Sequence, residues 1–446
     1  MDCQTLQDAW RRHAADGVTA TEACPAVTMA EAFMASGAAA AGPDLCCIDS
    51  LCEMALDERF SAQALHGLYG RIVEPLCDDF STSGAQICNL VLQRIIDFVR
   101  HVPQGKGMHC RLAALGFNDS DTLAKRYQRL LQPVPLVDRD RGQIRRVVVL
   151  SRVTVGADIV IATIVVHRLL AALPAAEVVL VGPAHLPHCF AEIDRVSCLQ
   201  LPYERDGSLV DRLVVWESLE KLIREQGEGL APGEMVLVDP DSRLSQLGLL
   251  PLLAEEDTWF FPSRFDQEDG GNSSLSEQVN GWLDSLLGQK SLQPPVVSLP
   301  EALLSGTRLF LENLRRNGCR QVIVINFGVG GDGKKRLGEP FETRLPLVLL
   351  EAMENTVVIV DSGCASDEKE WVRSQLAEYQ SSGIQTDFVE EDKLADLQIG
   401  FSHGVVGFHG SIGGIGGLIA GADVFFGYDS CCQHLAGALE TPSVIV

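Results

Sequence analysis

The sequence predicts an α/β protein in which two domains built on parallel sheets follow a helical N-terminal domain. Residues 1 to about 140 show apolar residues at helical spacing and almost no strand-like alternation. From Arg145 onward, short apolar runs alternate with amphipathic helices, which is the pattern of a parallel, doubly wound sheet. The alternation occurs in two series, and a long helix predicted over 301–317 separates them.

The predicted domains are a helical domain at 1–140, a Rossmann-like domain at 145–300 and a second Rossmann-like domain at 318–446. Helical spacing in the first is clearest at 61–70, 85–102 and 121–131. Alanine and glycine at 35–42 indicate a loose connection between helices, and the proline-bearing, charged stretch 132–142 indicates a linker.

Each of the two series from Arg145 onward contains at least five short apolar runs. In the first, we predict strands at 146–150, 177–182, 196–202, 234–239 and 258–262, with helices at 158–173, 209–226, 242–253 and 275–287. In the second, we predict strands at 321–327, 356–361, 385–389, 405–408, 423–427 and 443–446, with helices at 343–354, 366–380, 412–422 and 431–439. Because the last strand has no helix after it to cover the sheet, we expect the C-terminal domain to be truncated.

Charge and composition exclude several classes of function. The 446 residues carry a formal net charge of -24, which argues against nucleic acid as a partner because its binders need a basic surface. The N-terminus lacks the pattern of a signal peptide, and the longest apolar run, at 159–173, is interrupted by His167 and Arg168. We therefore expect a cytoplasmic protein without a transmembrane segment, with peripheral membrane contact left open.

The cysteines do not predict a metal site. Among the 14 cysteines, Cys46-Cys47 and Cys431-Cys432 are adjacent pairs, and no C-x-x-C spacing occurs. Without a secretory signal, reduced and mostly buried thiols are expected. We expect neither a metal ion nor another cofactor.

Ligands of open α/β sheets bind beyond the carboxyl ends of the strands, which directs attention to the loops at 151–158, 239–243, 327–336 and 427–434. The third contains Gly328 and continues into Lys335 and Arg336. It satisfies G-x-x-x-x-G-K but has Lys335 where a P-loop needs Ser or Thr for Mg²⁺. Three interpretations of this loop therefore remain: a P-loop, a surface turn, or another kind of diphosphate-facing loop.

Two further stretches have the features of phosphate sites. The glycine-rich run 410–417, which begins at Gly410, follows a strand and opens a helix, so it indicates either a dinucleotide fingerprint or close packing of helix on sheet. The loop with Asp429, Ser430 and Cys431 leads into a helix that Ser430 can cap, and the helix N-terminus favours an anion. His434, one turn further on, either faces the same ligand or packs in the core.

Acidic residues follow two strands of the first series. Asp158 stands where a loop enters a helix, so it is either an N-cap or a general base that faces a sugar hydroxyl. Asp241 or Ser242 caps a helix in one interpretation, and in the other Asp239, Asp241 and Arg243 form an exposed cluster that suits a hydroxyl-rich acceptor.

The order of these motifs along the chain resembles their order in the ADP-heptose:lipopolysaccharide heptosyltransferases, a GT-B glycosyltransferase family. The residues that carry the resemblance at the C-terminal end are Asp429, Ser430, His434, Ala436, Ala438, Thr441 and Pro442, preceded by the run 418–423. Lys335 and Arg336 resemble the family's phosphate-contacting basic residues, and 151–158 resembles its N-terminal loop with the proposed base. Val236 to Asp239 and the Arg243 region fit the acceptor-domain strand and helix more loosely.

The resemblance implies an inverting, metal-independent transfer of a sugar from a nucleotide-diphosphate donor to the hydroxyl of a glycan, a lipid-linked saccharide or a protein. It assigns Asp158 the role of base. Lys335, Arg336, Ser430 and His434 would hold the diphosphate, and the Gly410 loop would lie near the nucleoside.

The sequence also departs from the family. Cys431 replaces a glycine, Ala157 separates Gly156 from Asp158, and Leu337 replaces a tryptophan. A catalytically impaired GT-B-like nucleotide-binding or scaffold protein is therefore the alternative. A P-loop NTPase or an NAD-dependent enzyme is the third interpretation of the function.

Overall fold

The computed structural model describes residues 3–15, 25–37, 45–132, 141–204, 206–265, 273–330, 335–363 and 366–446. Most of the predicted connection at 35–42 and of the predicted linker at 132–142 lies outside the described residues, as do 331–334 of the glycine-rich loop. The chain divides into two compact units. Unit 1 comprises 1–153, 170–183 and 199–291, and unit 2 comprises 154–169, 184–198 and 292–446.

The described part of the first 132 residues is helical, as predicted. The α-helices are α1 (Cys3–Ala15), α2 (Ala26–Gly37), α3 (Cys46–Ala55), α4 (Ser61–Leu65), α5 (Glu74–Asp78), α6 (Thr82–His101), α7 (Lys106–Ala114) and α8 (Ser120–Leu130). A π-helix at His66–Val73 joins α4 to α5. Side-chain caps begin the two helices with the clearest starts: Ser81 accepts from the amide of Gly84 before α6, and Asp119 from that of Thr122 before α8.

The first sheet has five strands in the order β3-β2-β1-β4-β5, and every pair whose register is described is parallel. The strands are β1 (Arg146–Leu150), β2 (Glu177–Gly182), β3 (Val196–Gln200), β4 (Met235–Asp239) and β5 (Thr258–Phe260). The helices of this series are α9 (Val155–Ala157), α10 (Thr163–Ala172), α11 (Leu186–Cys189), α12 (Asp211–Gln226) and α13 (Leu275–Leu287). A π-helix at Asp158–Ala162 joins α9 to α10.

The second sheet lies in unit 2 and has six strands, all parallel, in the order β11-β10-β6-β7-β9-β8. Its strands are β6 (Gln321–Asn326), β7 (Thr356–Asp361), β8 (Thr386–Glu390), β9 (Gly404–His409), β10 (Val424–Gly427) and β11 (Ser443–Ile445). Its helices are α14 (Glu301–Arg316), α15 (Phe341–Ala352), α16 (Ser366–Ser381), α17 (Ile412–Gly421) and α18 (Cys431–Ala438). The predicted α/β fold class is confirmed: two Rossmann-like parallel sheets follow a helical segment.

In unit 1, the N-terminal helices and the first sheet share one hydrophobic core. The rings of Tyr127 on α8 and Phe260 on β5 meet edge to face at 5.5 Å. The buried Arg126 donates to the carbonyl of Gly248 at 2.9 Å. These contacts join the helices to the sheet through packing as well as through the chain.

One predicted helix is wrong. Residues 242–253 form a short 3₁₀ turn at Arg243–Ser245 followed by irregular backbone. Gln246, Leu247 and Gly248 all have positive φ, of 51°, 58° and 83°, and a run of left-handed residues cannot continue a right-handed helix. The apolar spacing arises instead because the leucines of this loop are buried.

Among the described residues, the helical stretch Val155–Ala172 is long and apolar enough to cross a membrane by length and composition, with a mean hydropathy of 1.8. It is 18 residues long, just under the roughly 20 residues of a typical membrane span, so the expectation of no transmembrane segment stays a prediction. The stretch connects β1 to β2, and 56% of it is buried inside the protein, as is usual for the core helix of a βαβ unit.

The described cysteines are mostly free thiols, as expected. Ten are free, and six of these are buried: Cys52, Cys77, Cys88, Cys189, Cys319 and Cys432. Cys47 forms a disulfide bond, so the expectation of reduced thiols is wrong at that position.

Candidate functional site

Two polar residues end the adjacent strands β6 and β7 in unit 2. The amide nitrogen of Asn326 donates to Asp361 Oδ2 at 2.7 Å, and Asn326 Oδ1 accepts from the amide of Gly328 at 3.1 Å. Asp361 Oδ1 accepts from the amide of Gly363 at 3.2 Å. Burial raises the pKa of Asp361 to about 6 although these donors favour its charge.

A cleft of about 260 Å³ opens at these strand ends. Its lining includes Asn326, Arg336, Asp361, Glu368 and Trp371. It therefore combines an aromatic face, hydrogen-bonding groups and carboxylates, with Arg336 as the cation of its described lining. This composition suits a polar heterocycle and a sugar better than it suits a bare polyanion.

Arg336 is tied to a buried carboxylate. It donates from two guanidinium nitrogens to Glu342, which is 1% exposed. Tyr428 donates its hydroxyl to the same carboxylate at 2.9 Å. Burial opposes ionisation of Glu342, but the bonds from Arg336 and Tyr428 outweigh it, so the pKa of Glu342 lies below its usual value. The phosphate-contacting cation predicted at Arg336 thus faces the cleft while already paired.

Lys335 and Asp429 form an ion pair at 2.6 Å, with 44% and 56% of their side chains exposed. Exposed pairs contribute about 0–1 kcal/mol, because water solvates the separated charges well. The pair therefore contributes little to stability. The structure brings these two predicted donor residues together.

Ser430 precedes α18 in the N-cap position but does not cap the helix with its side chain. Its hydroxyl lies 3.4 Å from Asn326 Oδ1, at the edge of the cleft. The predicted capping role is wrong, because the hydroxyl points toward the end of β6. Ser430 therefore links the start of α18 to the cleft.

The first turn of α18 also meets the loop that leads to Asp158. A Cβ added to Gly156 would lie 2.8 Å from His434 Cδ2 and 3.6 Å from Cys431 Cα. The His434 ring thus packs on the Gly156 backbone, and burial lowers its pKa. A hydrogen bond from Cys432 lowers the pKa of the half-buried Cys431.

Asp158 is completely buried and pairs with a residue that the sequence did not single out. Its Oδ2 lies 2.7 Å from His185 Nε2, and the side chains are 0% and 14% exposed. Both residues belong to unit 2. Because the backbone amide of Asp158 bonds to Thr154 O at 3.0 Å inside the helical stretch, its carboxylate is not an N-cap.

The glycine-rich run 410–417 packs closely. A Cβ on Gly410 would lie 2.5 Å from the Phe408 ring, and one on Gly414 would lie 2.1 Å from a Glu391 carboxylate oxygen. The amide and hydroxyl of Ser411 both donate to that oxygen at 2.7 Å. Glu391 thus occupies the start of α17, where a dinucleotide fingerprint would place a pyrophosphate, and close packing is the reason for these glycines.

The predicted acceptor residues lie in unit 1, and the cluster is not exposed. Asp239 is 2% exposed and accepts from the amide of Ser242 at 2.8 Å, while burial raises its pKa to about 6. Asp241 is fully buried against Arg264, with bonds of 2.7 and 3.0 Å. Arg243 is half-buried. The expectation of an exposed cluster is wrong because unit 1 packs these charges in its interior.

His185, Asn326 and Asp361 are the residues of the site that the sequence reasoning missed. A polar residue ends the apolar run in both β6 and β7, and His185 is the third residue after β2. A polar residue at or just beyond the end of a predicted strand was therefore the signal in the sequence that could have identified these three residues. Within the described ranges, no three His, Cys, Asp or Glu side chains are grouped so that they could hold a metal ion.

No protein family and no curated protein matches the chain by sequence. Solved structures are similar in fold. A glycosyl transferase of family 9 from Veillonella parvula is 13% identical with a TM-score of 0.47, over 69% of this chain and 81% of that one. E. coli ADP-heptose LPS heptosyltransferase II is 15% identical with a TM-score of 0.40, over 67% and 84%.

A third solved structure, E. coli heptosyltransferase WaaC with ADP-2-deoxy-2-fluoro heptose, is 15% identical with a TM-score of 0.38, over 67% of this chain and 88% of that one. Glycosyltransferases of the kind that the sequence resembles are thus among the solved structures to which the chain is similar. At these identities and TM-scores the likeness concerns the fold, and function must be argued from the residues of the site.

Proposed function

We propose that the protein is an inverting, metal-independent glycosyltransferase that moves a sugar from a nucleotide-diphosphate donor to a hydroxyl of a glycan, a lipid-linked saccharide or a protein. The observation that supports this most is the position of α18 in unit 2. Its first turn contacts the cleft through Ser430 and the Asp158 loop through Cys431 and His434. A leaving group at α18 would therefore lie between a nucleoside pocket and a proton acceptor.

In this proposal the diphosphate binds at Lys335, Ser430 and the N-terminus of α18. Lys335 exchanges Asp429 for phosphate, and the helix dipole stabilises the charge that develops as the sugar departs. Arg336, held by Glu342, faces the cleft and adds a second cation. These groups would supply the charge stabilisation that a metal supplies in other transferases.

The first test is a thermal-shift screen in EDTA with ADP, UDP, GDP and their sugars. We expect one base family to raise the melting temperature, and the matching sugar donor to be turned over without added metal. Lys335→Met should weaken nucleotide binding about tenfold to a hundredfold, because it removes a charge-assisted contact. Lys393→Met is the matched control, since Lys393 is an exposed lysine that pairs with Asp392 elsewhere in unit 2. A strict requirement for Mg²⁺ would contradict the proposal.

The alternative is a nucleotide-binding or scaffold protein with impaired catalysis. It is favoured by Cys431, whose Cβ stands at the start of α18, and by the pairing of both cations with carboxylates. Nucleotide binding with an unchanged donor after prolonged incubation would support this alternative and exclude transfer.

A further inference from the structure

The arrangement of Asp158 and His185 does not suit a carboxylate that acts directly on an acceptor. The Asp158 side chain is 0% exposed and His185 is 14% exposed, so the imidazole is the member of the pair that solvent reaches. A base must come within hydrogen-bond reach of the proton it removes. In this geometry an acceptor can approach His185 and cannot approach Asp158.

The backbone holds both partners in place. Asp158 is the first residue of the π-helix Asp158–Ala162, and its backbone amide donates to Thr154 O at 3.0 Å. His185 directly precedes α11, and its carbonyl accepts from the amide of His188 at 2.9 Å. The 2.7 Å contact therefore joins two segments whose backbones are fixed independently.

The contact also selects the tautomer of the imidazole. A carboxylate accepts hydrogen bonds, so Nε2 of His185 carries the hydrogen and Nδ1 keeps the lone pair. Nδ1 is then the atom that can accept a proton, and the carboxylate stabilises the imidazolium that results.

Titratable groups near the pair stand on α11, on α18 and on β3, which contributes Cys198 beside Cys189. On α11 they are His188 and Cys189, and burial, aided by the charge of Asp158, raises the pKa of Cys189 to about 12. On α18 they are Cys431 and His434, and burial lowers the pKa of His434, which keeps that ring neutral at pH 7. Asp158 is the carboxyl group that contacts His185, at 2.7 Å.

We propose that His185 is the catalytic base of the transfer and that Asp158 is its positioning residue. This inference rests on the proposed glycosyltransferase function. The acceptor oxygen attacks the anomeric carbon as its proton passes to Nδ1 of His185. The bond from that carbon to the diphosphate breaks, and its electron pair leaves with the nucleotide. The proton then passes to water, so the products are the glycoside, the nucleoside diphosphate and one proton.

The test uses the full chain with whichever nucleotide sugar from the ADP, UDP and GDP series it turns over. His185→Ala should lower kcat at least a hundredfold and leave the affinity for the nucleoside diphosphate unchanged within about twofold. Added imidazole should restore part of the rate in His185→Ala and none in Asp158→Ala. His188→Gln, on the same short helix, is the matched control and should keep kcat within about threefold.

Two further readouts separate positioning from a structural role. Asp158→Asn should lower kcat and leave the affinity for the nucleoside diphosphate unchanged, because the imidazole loses the acceptor that fixes its tautomer. Nitrogen NMR of labelled histidine should find His185 as the Nε2–H tautomer in the wild type. A His185 ring that carries its hydrogen on Nδ1 would overturn the proposal.

The same measurements distinguish a failure of the His185 proposal from a failure of the proposed glycosyltransferase function. If the wild type turns over a donor but His185→Ala keeps its rate while Asp158→Asn abolishes it, Asp158 is itself the base and only this inference is overturned. If the wild type turns over none of the donors that bind to it, the glycosyltransferase function falls and the role of His185 falls with it.

Discussion

Asp361 is a residue whose ionisation the fold disfavours. Burial raises its pKa from 3.8 to about 6. A carboxyl group that binds its proton more tightly when folded contributes most to stability while protonated, and this contribution is lost as the pH rises from about 4 to about 6. The same protonation would lower the negative charge of the cleft in mildly acidic solution.

We therefore expect Asp361→Asn to become more favourable as the pH rises. Between pH 4 and pH 8, the unfolding free energy of the variant relative to the wild type should increase by about 2–3 kcal/mol, since one pKa unit corresponds to about 1.4 kcal/mol. Urea unfolding of both proteins across this range measures the change. A difference that does not vary with pH would show that Asp361 ionises normally.

Gly156 is required by its neighbour rather than by its backbone angles. A Cβ at this position would lie 2.8 Å from the His434 ring, so Gly156→Ala should displace the ring and destabilise the protein by about 1–3 kcal/mol. Gly437→Ala is the matched control: it lies in α18, and a Cβ there meets nothing within 4 Å. The control should gain about 0.5–1 kcal/mol from helix propensity. Equal urea midpoints for the two variants would contradict this account.

Single residues were predicted better than their partners. Asp158, Ser430 and His434 stand beside strand ends and helix starts, and such positions can be read from one sequence. Their contacts to His185 and Asn326 depend on which strands are neighbours. The adjacency of β1 to β2 and of β10 to β6 is set by the order of the whole sheet, which local patterns do not contain.

At the scale of elements, two serines at helix starts differ in whether their side chains cap the helix. Ser274 forms a capping box with Glu277 at the start of α13, whereas Ser430 makes no side-chain cap at the start of α18. Ser274→Ala should therefore cost about 1 kcal/mol. Ser430→Ala should cost less than about 0.5 kcal/mol and instead weaken nucleoside diphosphate binding. Thermal unfolding and calorimetric titration of both variants give the comparison, and a large loss of stability in Ser430→Ala would show that the hydroxyl caps the helix after all.

Buried parallel strands were the elements that the sequence predicted most accurately. β2 and β7 have the bounds predicted, because a strand covered on both faces is a continuous apolar run between polar ends. The stretch 242–253 failed for a related reason. Its leucines are buried in a loop, and burial in a loop produces the same spacing as one face of a helix.

At the scale of the molecule, the N-terminal helices are part of the support of the first sheet. Arg129 on α8 forms two bonds of 2.6 Å with Glu255, and Asn89 on α6 accepts from the buried Arg264 at 3.0 Å. Arg264 in turn holds the buried Asp241 beyond the end of β4. Sequence patterns marked the change from helical to alternating segments near Arg145, but they could not show that both sides share one core.

We accordingly expect a chain that lacks residues 1–140 to lose the folded state of unit 1. Removal of α1–α8 would expose the apolar face of the sheet and leave Arg264 without Asn89, and both changes are costly in a buried site. The prediction is checked by hydrogen exchange of residues 141–446 in the full and shortened chains, in which β1, β2 and β4 should lose protection while β6, β7 and β9 of unit 2 keep theirs. Arg129→Ala in the full chain is the control for surface ion pairs and should change stability by less than about 1 kcal/mol. Protection of β1 and β4 that survives the deletion would mean that the first sheet folds without its helices.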